Sequence, residues 1–163
     1  MLVTNLSLRF VLACSTFLFA VTAAAQVKEA VHLKVTGGPH AGTYDATTDR
    51  GGCSVGLAGP RAWGNQFSLP NNDPNHFNSL QVVAPLPDNI TSQFFLSIGF
   101  GPLPHRTEYT IETRRGHKKS GTGVMSIIDK GTTARMTFSG TTASGIKVEG
   151  TIDCKTVLRG DSA

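Results

Sequence analysis

The sequence is short of charged residues. Asp, Glu, Lys and Arg make up 16% of the 163 residues, whereas about 25% is usual in soluble domains. Since Glu and Lys side chains commonly cover the exposed faces of helices, their scarcity and the many threonines favour strands. The net charge of +4 is small, and no basic stripe with interleaved aromatic residues indicates nucleic acid as a partner.

A hydrophobic run long enough to span a bilayer is also missing. The uncharged, mostly apolar run over residues 10–21 is shorter than the ~20 residues of a membrane helix. Such a run, followed by small residues at 23–25, is typical of a signal peptide cleaved after Ala25. We therefore predict a signal-peptide helix over residues 1–25 and a single secreted or periplasmic domain over residues 26–163, without a transmembrane segment.

Cysteine is rare, and the chain has only Cys14, Cys53 and Cys154. Cleavage would remove Cys14, although lipidation at that residue and a retained N-terminal anchor are alternative fates of the segment. The remaining two cysteines would pair in an oxidising compartment, and the chain-entropy model gives such a bridge roughly 4.7 kcal/mol of stability. Two separate buried thiols are the alternative. We predict a disulfide between Cys53 and Cys154.

Sustained helical periodicity is absent from the mature chain, and alternation of apolar and polar residues takes its place. The final strand is typical, because the parity that turns Ile146, Val148 and Ile152 inward also turns Cys154 inward. We predict an all-β fold, either an antiparallel β-sandwich or a closed β-barrel, of about 8–10 short strands. The predicted strands cover residues 27–35, 42–47, 53–57, 63–69, 80–84, 94–100, 109–114, 123–129, 134–139 and 146–154. The last four should form a meander.

No local signature of catalysis or metal binding is present. The spacing Gly-x-Ser-x-Gly occurs once, at residues 52–56, but it overlaps a predicted strand with no helical pattern after it, whereas a nucleophile elbow joins a strand to a helix. None of the histidines forms the close pair that metal sites usually show. A copper–zinc superoxide dismutase is excluded by the same missing pair. We expect no cofactor and a non-catalytic binding or envelope-associated module. The alternative is a secreted hydrolase or metalloenzyme built from loop acids and His40, His76 and His105. The competing expectation for all five histidines, including His32 and His117, is a solvent-exposed or loop position.

The densest charge in the sequence is a candidate anion-binding site. It is expected at the tip of a hairpin, where it could contact an anionic surface or a glycan. The competing interpretation is a solvated tip that prevents edge-to-edge association. Its members are Arg114, Arg115, His117, Lys118 and Lys119.

Aromatic residues are few, and Trp63, Phe95 and Tyr44 are candidates for a platform that stacks on a sugar or peptide. Phe95 has the opposite parity to Phe94, so its ring should face solvent or a second layer. Core packing is the competing interpretation for Trp63 and Tyr44. Residues 89–91 match the acceptor pattern for N-glycosylation at Asn89.

Overall fold

The structure is a computed structural model that describes residues 28–70, 73–86 and 90–160. These residues form strands and connecting loops without a helix, so none of them belongs to a helix able to cross a membrane. The predicted signal peptide, its cleavage after Ala25, the alternative lipidation at Cys14 and the glycosylation pattern at Asn89 lie outside the described residues.

The described part of the chain contains twelve β-strands, and the predicted all-β class is confirmed. The strands are β1 (Glu29–Thr36), β2 (Gly42–Thr48), β3 (Gly51–Val55), β4 (Ala62–Ser68), β5 (Phe77–Pro85), β6 (Ile90–Thr91), β7 (Phe95–Phe100), β8 (Thr107–Glu112), β9 (Thr122–Asp129), β10 (Ala134–Thr141), β11 (Lys147–Cys154) and β12 (Val157–Arg159).

The strands form two six-stranded sheets that pack face to face. We call the sheet with the order β2-β1-β11-β10-β9-β6 sheet A, and the sheet with the order β12-β3-β4-β5-β7-β8 sheet B. Pairing is antiparallel except between β12 and β3. Both sheets end in edge strands, so the structure is a β-sandwich and not the closed barrel that the sequence left open.

The core lies between the two sheets, and its side chains come from strands in which buried and exposed residues alternate. In β1 the buried residues Val31, Leu33 and Val35 alternate with exposed ones, and β7 places Leu96 and Ile98 inward in the same way. Full burial of a side chain of this size contributes roughly 1.5–3 kcal/mol. The two sheets are therefore held together by matched apolar faces.

A disulfide joins the two sheets, as the sequence predicts. Cys53 in β3 of sheet B and Cys154 in β11 of sheet A are bonded, with Cα atoms 5.8 Å apart and a sequence separation of 101. Both residues are buried. The bridge thus ties an early strand to a late one across the core.

The predicted meander of four strands is wrong at its first strand. The strands β9, β10 and β11 are consecutive neighbours in sheet A, whereas β8 pairs with β7 in sheet B. Residues 113–121 therefore cross from one sheet to the other instead of forming a simple hairpin tip. The alternation of Tyr109 and Ile111 is the same for either neighbour, so the pattern could not identify the partner strand.

Smaller differences have local causes. The strand predicted over residues 53–57 is shorter in the structure, because β3 ends at Val55 and Gly56, with φ of 82°, turns the chain. Leu57 is therefore 61% exposed. The strands β6 and β12 were not predicted, since two and three residues are too few to show a period.

Candidate functional site

The candidate site lies where the chain crosses from sheet B to sheet A. Glu112, the last residue of the edge strand β8, exchanges two backbone hydrogen bonds with Ser120, of 2.7 and 2.8 Å. This bridge closes the segment 113–119 into a loop, which we call the basic loop. The loop contains all five residues of the predicted anion-binding cluster.

The carboxylate of Glu112 is buried at the base of the loop and engages Arg114. The Arg114 Nε donates to Oε1 at 3.0 Å, and its Nη2 donates to Oε2 at 2.6 Å. These bonds lower the pKa of Glu112 and outweigh the opposite effect of its burial. His117 Nδ1 lies 3.9 Å from the same carboxylate. Arg114 also covers the Phe95 ring, 5.2 Å from its centroid. Arg114 is therefore part of the loop's framework.

A polar groove of about 460 Å³ opens beside the basic loop. Arg115 and Lys119 are the cationic residues of its lining, and no acidic residue is among the lining residues. Within the described ranges, neither cation is paired with a carboxylate. The neutral hydrogen-bonding residues of the lining are Ser92, Gln93, Thr113 and Thr122. We call this site the cationic groove.

The shape of the groove depends on a close approach of two strands. Gly121 has φ of 84° and precedes β9. A Cβ atom there would collide with the carbonyl oxygen of Thr141 in β10. Glycine therefore lets the chain enter sheet A from the basic loop tightly against its neighbouring strand.

The structure divides the predicted anion-binding cluster into two groups. Arg115 and Lys119 line the groove, whereas Arg114 and His117 lie against Glu112. Lys118 is exposed and outside the lining. The groove therefore brings together two of the four permanent positive charges in the cluster.

The structure does not bring the candidate aromatic platform together. Trp63 is 1% exposed and packs in the core, so its ring has no free face for a ligand. Phe95 lies half-buried on the opposite face of sheet B beneath Arg114, in keeping with its parity. Tyr44 is half-buried, and its hydroxyl donates to the carbonyl of His40. Core packing is the interpretation that fits Trp63.

The histidines are dispersed. His40 is buried, stacks on Phe100 with centroids 4.4 Å apart, and has Nδ1 2.8 Å from the Tyr109 hydroxyl. His32 contacts Asp45 at 2.6 Å on the surface. Among the described residues, no three His, Cys, Asp or Glu side chains converge in a group that could hold a metal ion. The site proposed for a metalloenzyme is thus not assembled by these residues.

A buried acid near the disulfide was missed by the sequence reasoning. Glu29 is 0% exposed, and Asn65 Nδ2 donates to its Oε1 at 2.6 Å. The same Nδ2 lies 3.5 Å from Cys53 Sγ. Burial raises the pKa of Glu29 from 4.5 to about 7, although the bond from Asn65 opposes the rise. The sequence did contain a signal for the burial of Glu29, because this residue has the same parity in its strand as the buried Val31.

No family model, no curated protein and no solved structure matches this chain.

Proposed function

We propose that the chain is an exported, non-catalytic binding module that holds an anionic group of its ligand in the cationic groove. The observation that carries the proposal is the groove itself, which presents two cations and no acid in its lining. Arg115 can bind a sulfate, phosphate or carboxylate with two parallel hydrogen bonds, while Lys119 acts as a point charge.

The neighbouring contacts support this assignment. Glu112 is the acid closest in sequence to the groove residues, and its carboxylate is already engaged by Arg114. The Glu112 carboxylate is therefore compensated and does not cancel the field of Arg115 and Lys119. A rigid sandwich that carries recognition groups on a loop is a common design for binding proteins. The disulfide is in keeping with export to an oxidising compartment.

The proposal is tested with dextran sulfate as the anionic probe. We expect the protein to bind it with an affinity that falls as salt rises, because each contact releases counterions. The double variant Arg115→Ala/Lys119→Ala should bind at least about tenfold more weakly. Binding is measured by calorimetric titration at low and moderate salt.

A matched control removes the same charges elsewhere. Arg50 and Lys155 are exposed and lie at the opposite end of the sandwich, next to the ends of β2 and β11. The variant Arg50→Ala/Lys155→Ala should retain nearly all the binding. Equal losses in the two double variants would show a general effect of net charge and would refute the proposed groove.

A further inference from the structure

Three exposed apolar side chains lie together on sheet A. Ile90, Val124 and Ile128 are 72%, 51% and 55% exposed. Val124 and Ile128 share the outward face of β9, and Ile90 pairs with Ser126, which lies between them on that face. We call these three residues the apolar strip. A cluster of large apolar groups in water is typical of an interaction surface.

The apolar strip is continuous with the cationic groove. Thr122 lines the groove and lies on the outward face of β9, two residues before Val124. Alternate residues of a strand are about 6.6 Å apart along one face. In β6, the strip residue Ile90 is two residues before Ser92, which follows the strand directly and also lines the groove. Cationic and apolar groups therefore meet along one edge of the sandwich.

The rest of this face is polar, so the apolar groups are confined to the edge. Next to β9, the outward residues of β10 include Thr137, Ser139 and Thr141. The acid that follows the strip, Asp129, is bound by Arg159 at 2.6 Å. Because Arg159 compensates the charge of Asp129, this carboxylate repels an anionic ligand at the strip only weakly.

We infer that this edge binds the surface of an anionic lipid bilayer, with a lipid phosphate in the cationic groove and the apolar strip inserted among the headgroups. The inference rests on the proposed function and names its ligand. A soluble sulfated or phosphorylated glycan would provide anionic groups for Arg115 and Lys119 but would leave the apolar strip exposed to water. A lipid surface satisfies both, since it offers negative charge next to hydrocarbon.

The test uses vesicles of phosphatidylcholine with and without phosphatidylglycerol, and measures binding by co-sedimentation. We expect binding to the anionic vesicles alone. The variant Ile90→Thr/Val124→Thr/Ile128→Thr should bind them about tenfold more weakly, because its hydroxyl groups resist insertion. Threonine is β-branched, so the strands are kept. The control Leu57→Thr/Leu158→Thr, which changes exposed apolar residues near sheet B, should bind like the natural protein.

The outcomes separate this inference from the proposed function. Equal binding of vesicles by the natural protein and the strip variant would overturn the lipid assignment and leave the groove intact. Binding of dextran sulfate without binding of anionic vesicles would do the same. Failure to bind either probe would overturn both proposals. Thermal unfolding of each variant verifies that it is folded during these measurements.

Discussion

At the scale of single residues, the carboxyl group of Glu29 couples the stability of the domain to pH. It is fully buried and receives one hydrogen bond, from Asn65. Its Oε2 and the Oδ1 of Asn65 have no hydrogen-bond partner among the described residues. Protonation removes the charge from this apolar environment, which is why the pKa rises from 4.5 to about 7.

The raised pKa predicts that the domain is more stable in mild acid. Below pH 4.5 Glu29 is protonated in both the folded and the unfolded chain, so its full contribution is present. Between pH 4.5 and about 7 the unfolded chain ionises first, and stability is lost. The loss amounts to roughly 3 kcal/mol above pH 7.

Glu29→Gln should remove this dependence, because glutamine keeps an acceptor for Asn65 and carries no charge. We expect its free energy of unfolding at pH 8 to exceed that of the natural protein by up to about 3 kcal/mol. Urea unfolding at pH 4.5 and pH 8 measures the difference. The control is Glu149→Gln, at an exposed position. A natural protein whose stability is the same at both pH values would contradict the assignment.

At the scale of strands, one glycine leaves room for a buried ring on the inner face of sheet A. Gly150 in β11 lies opposite Phe138 in β10, and the Phe138 ring occupies the space above it. A Cβ atom at Gly150 would lie 2.6 Å from Phe138 Cζ and 2.5 Å from the His32 carbonyl oxygen. The backbone and a buried ring thus leave no room for a methyl group.

Gly150→Ala should therefore destabilise the fold by about 1–3 kcal/mol through overpacking. The measurement is urea unfolding, with Glu149→Ala as the control on the exposed side of the same strand. The control should change stability by less than about 0.5 kcal/mol. Equal stabilities of the two variants would show that the core can accommodate the added methyl group.

Most strands could be predicted because apolar and polar residues alternate along a strand that is buried on one face only. The pairing of β9, β10 and β11 as a meander could also be predicted, but that of β8 could not, since its alternation is satisfied equally by β7 and by β9. The inward position of Glu29 was visible by parity, but its partner Asn65 is 36 residues away and belongs to the other sheet. A buried polar contact between sheets leaves no local pattern.

At the scale of the whole molecule, the two ends of the sandwich carry different features. One end carries the disulfide and Glu29, where Glu29 pairs with Cys154. The other end carries the cationic groove, where Thr122 pairs with Thr141. The bridge ties the sheets at a distance from the proposed ligand, so binding need not disturb it.

The sequence showed where the basic residues lie in the chain, but it did not show which of them are free to bind a ligand. The cluster of basic residues indicates a cationic surface, and Glu112 and Arg114 share one parity, as their contact in the structure requires. The groove itself depends on the crossing from β8 to β9 and on residues that follow β6. No segment of the sequence contains these parts together.

The most direct test of the central claim is an amide NMR titration of the natural protein with dextran sulfate. We expect shifts that saturate at Gly116, Gly121 and Thr122 in and beside the groove, with little change near Arg50 and Lys155. The same titration of the groove double variant should leave those amides unchanged. No shifts at the groove, or shifts of equal size around all exposed cations, would contradict the claim.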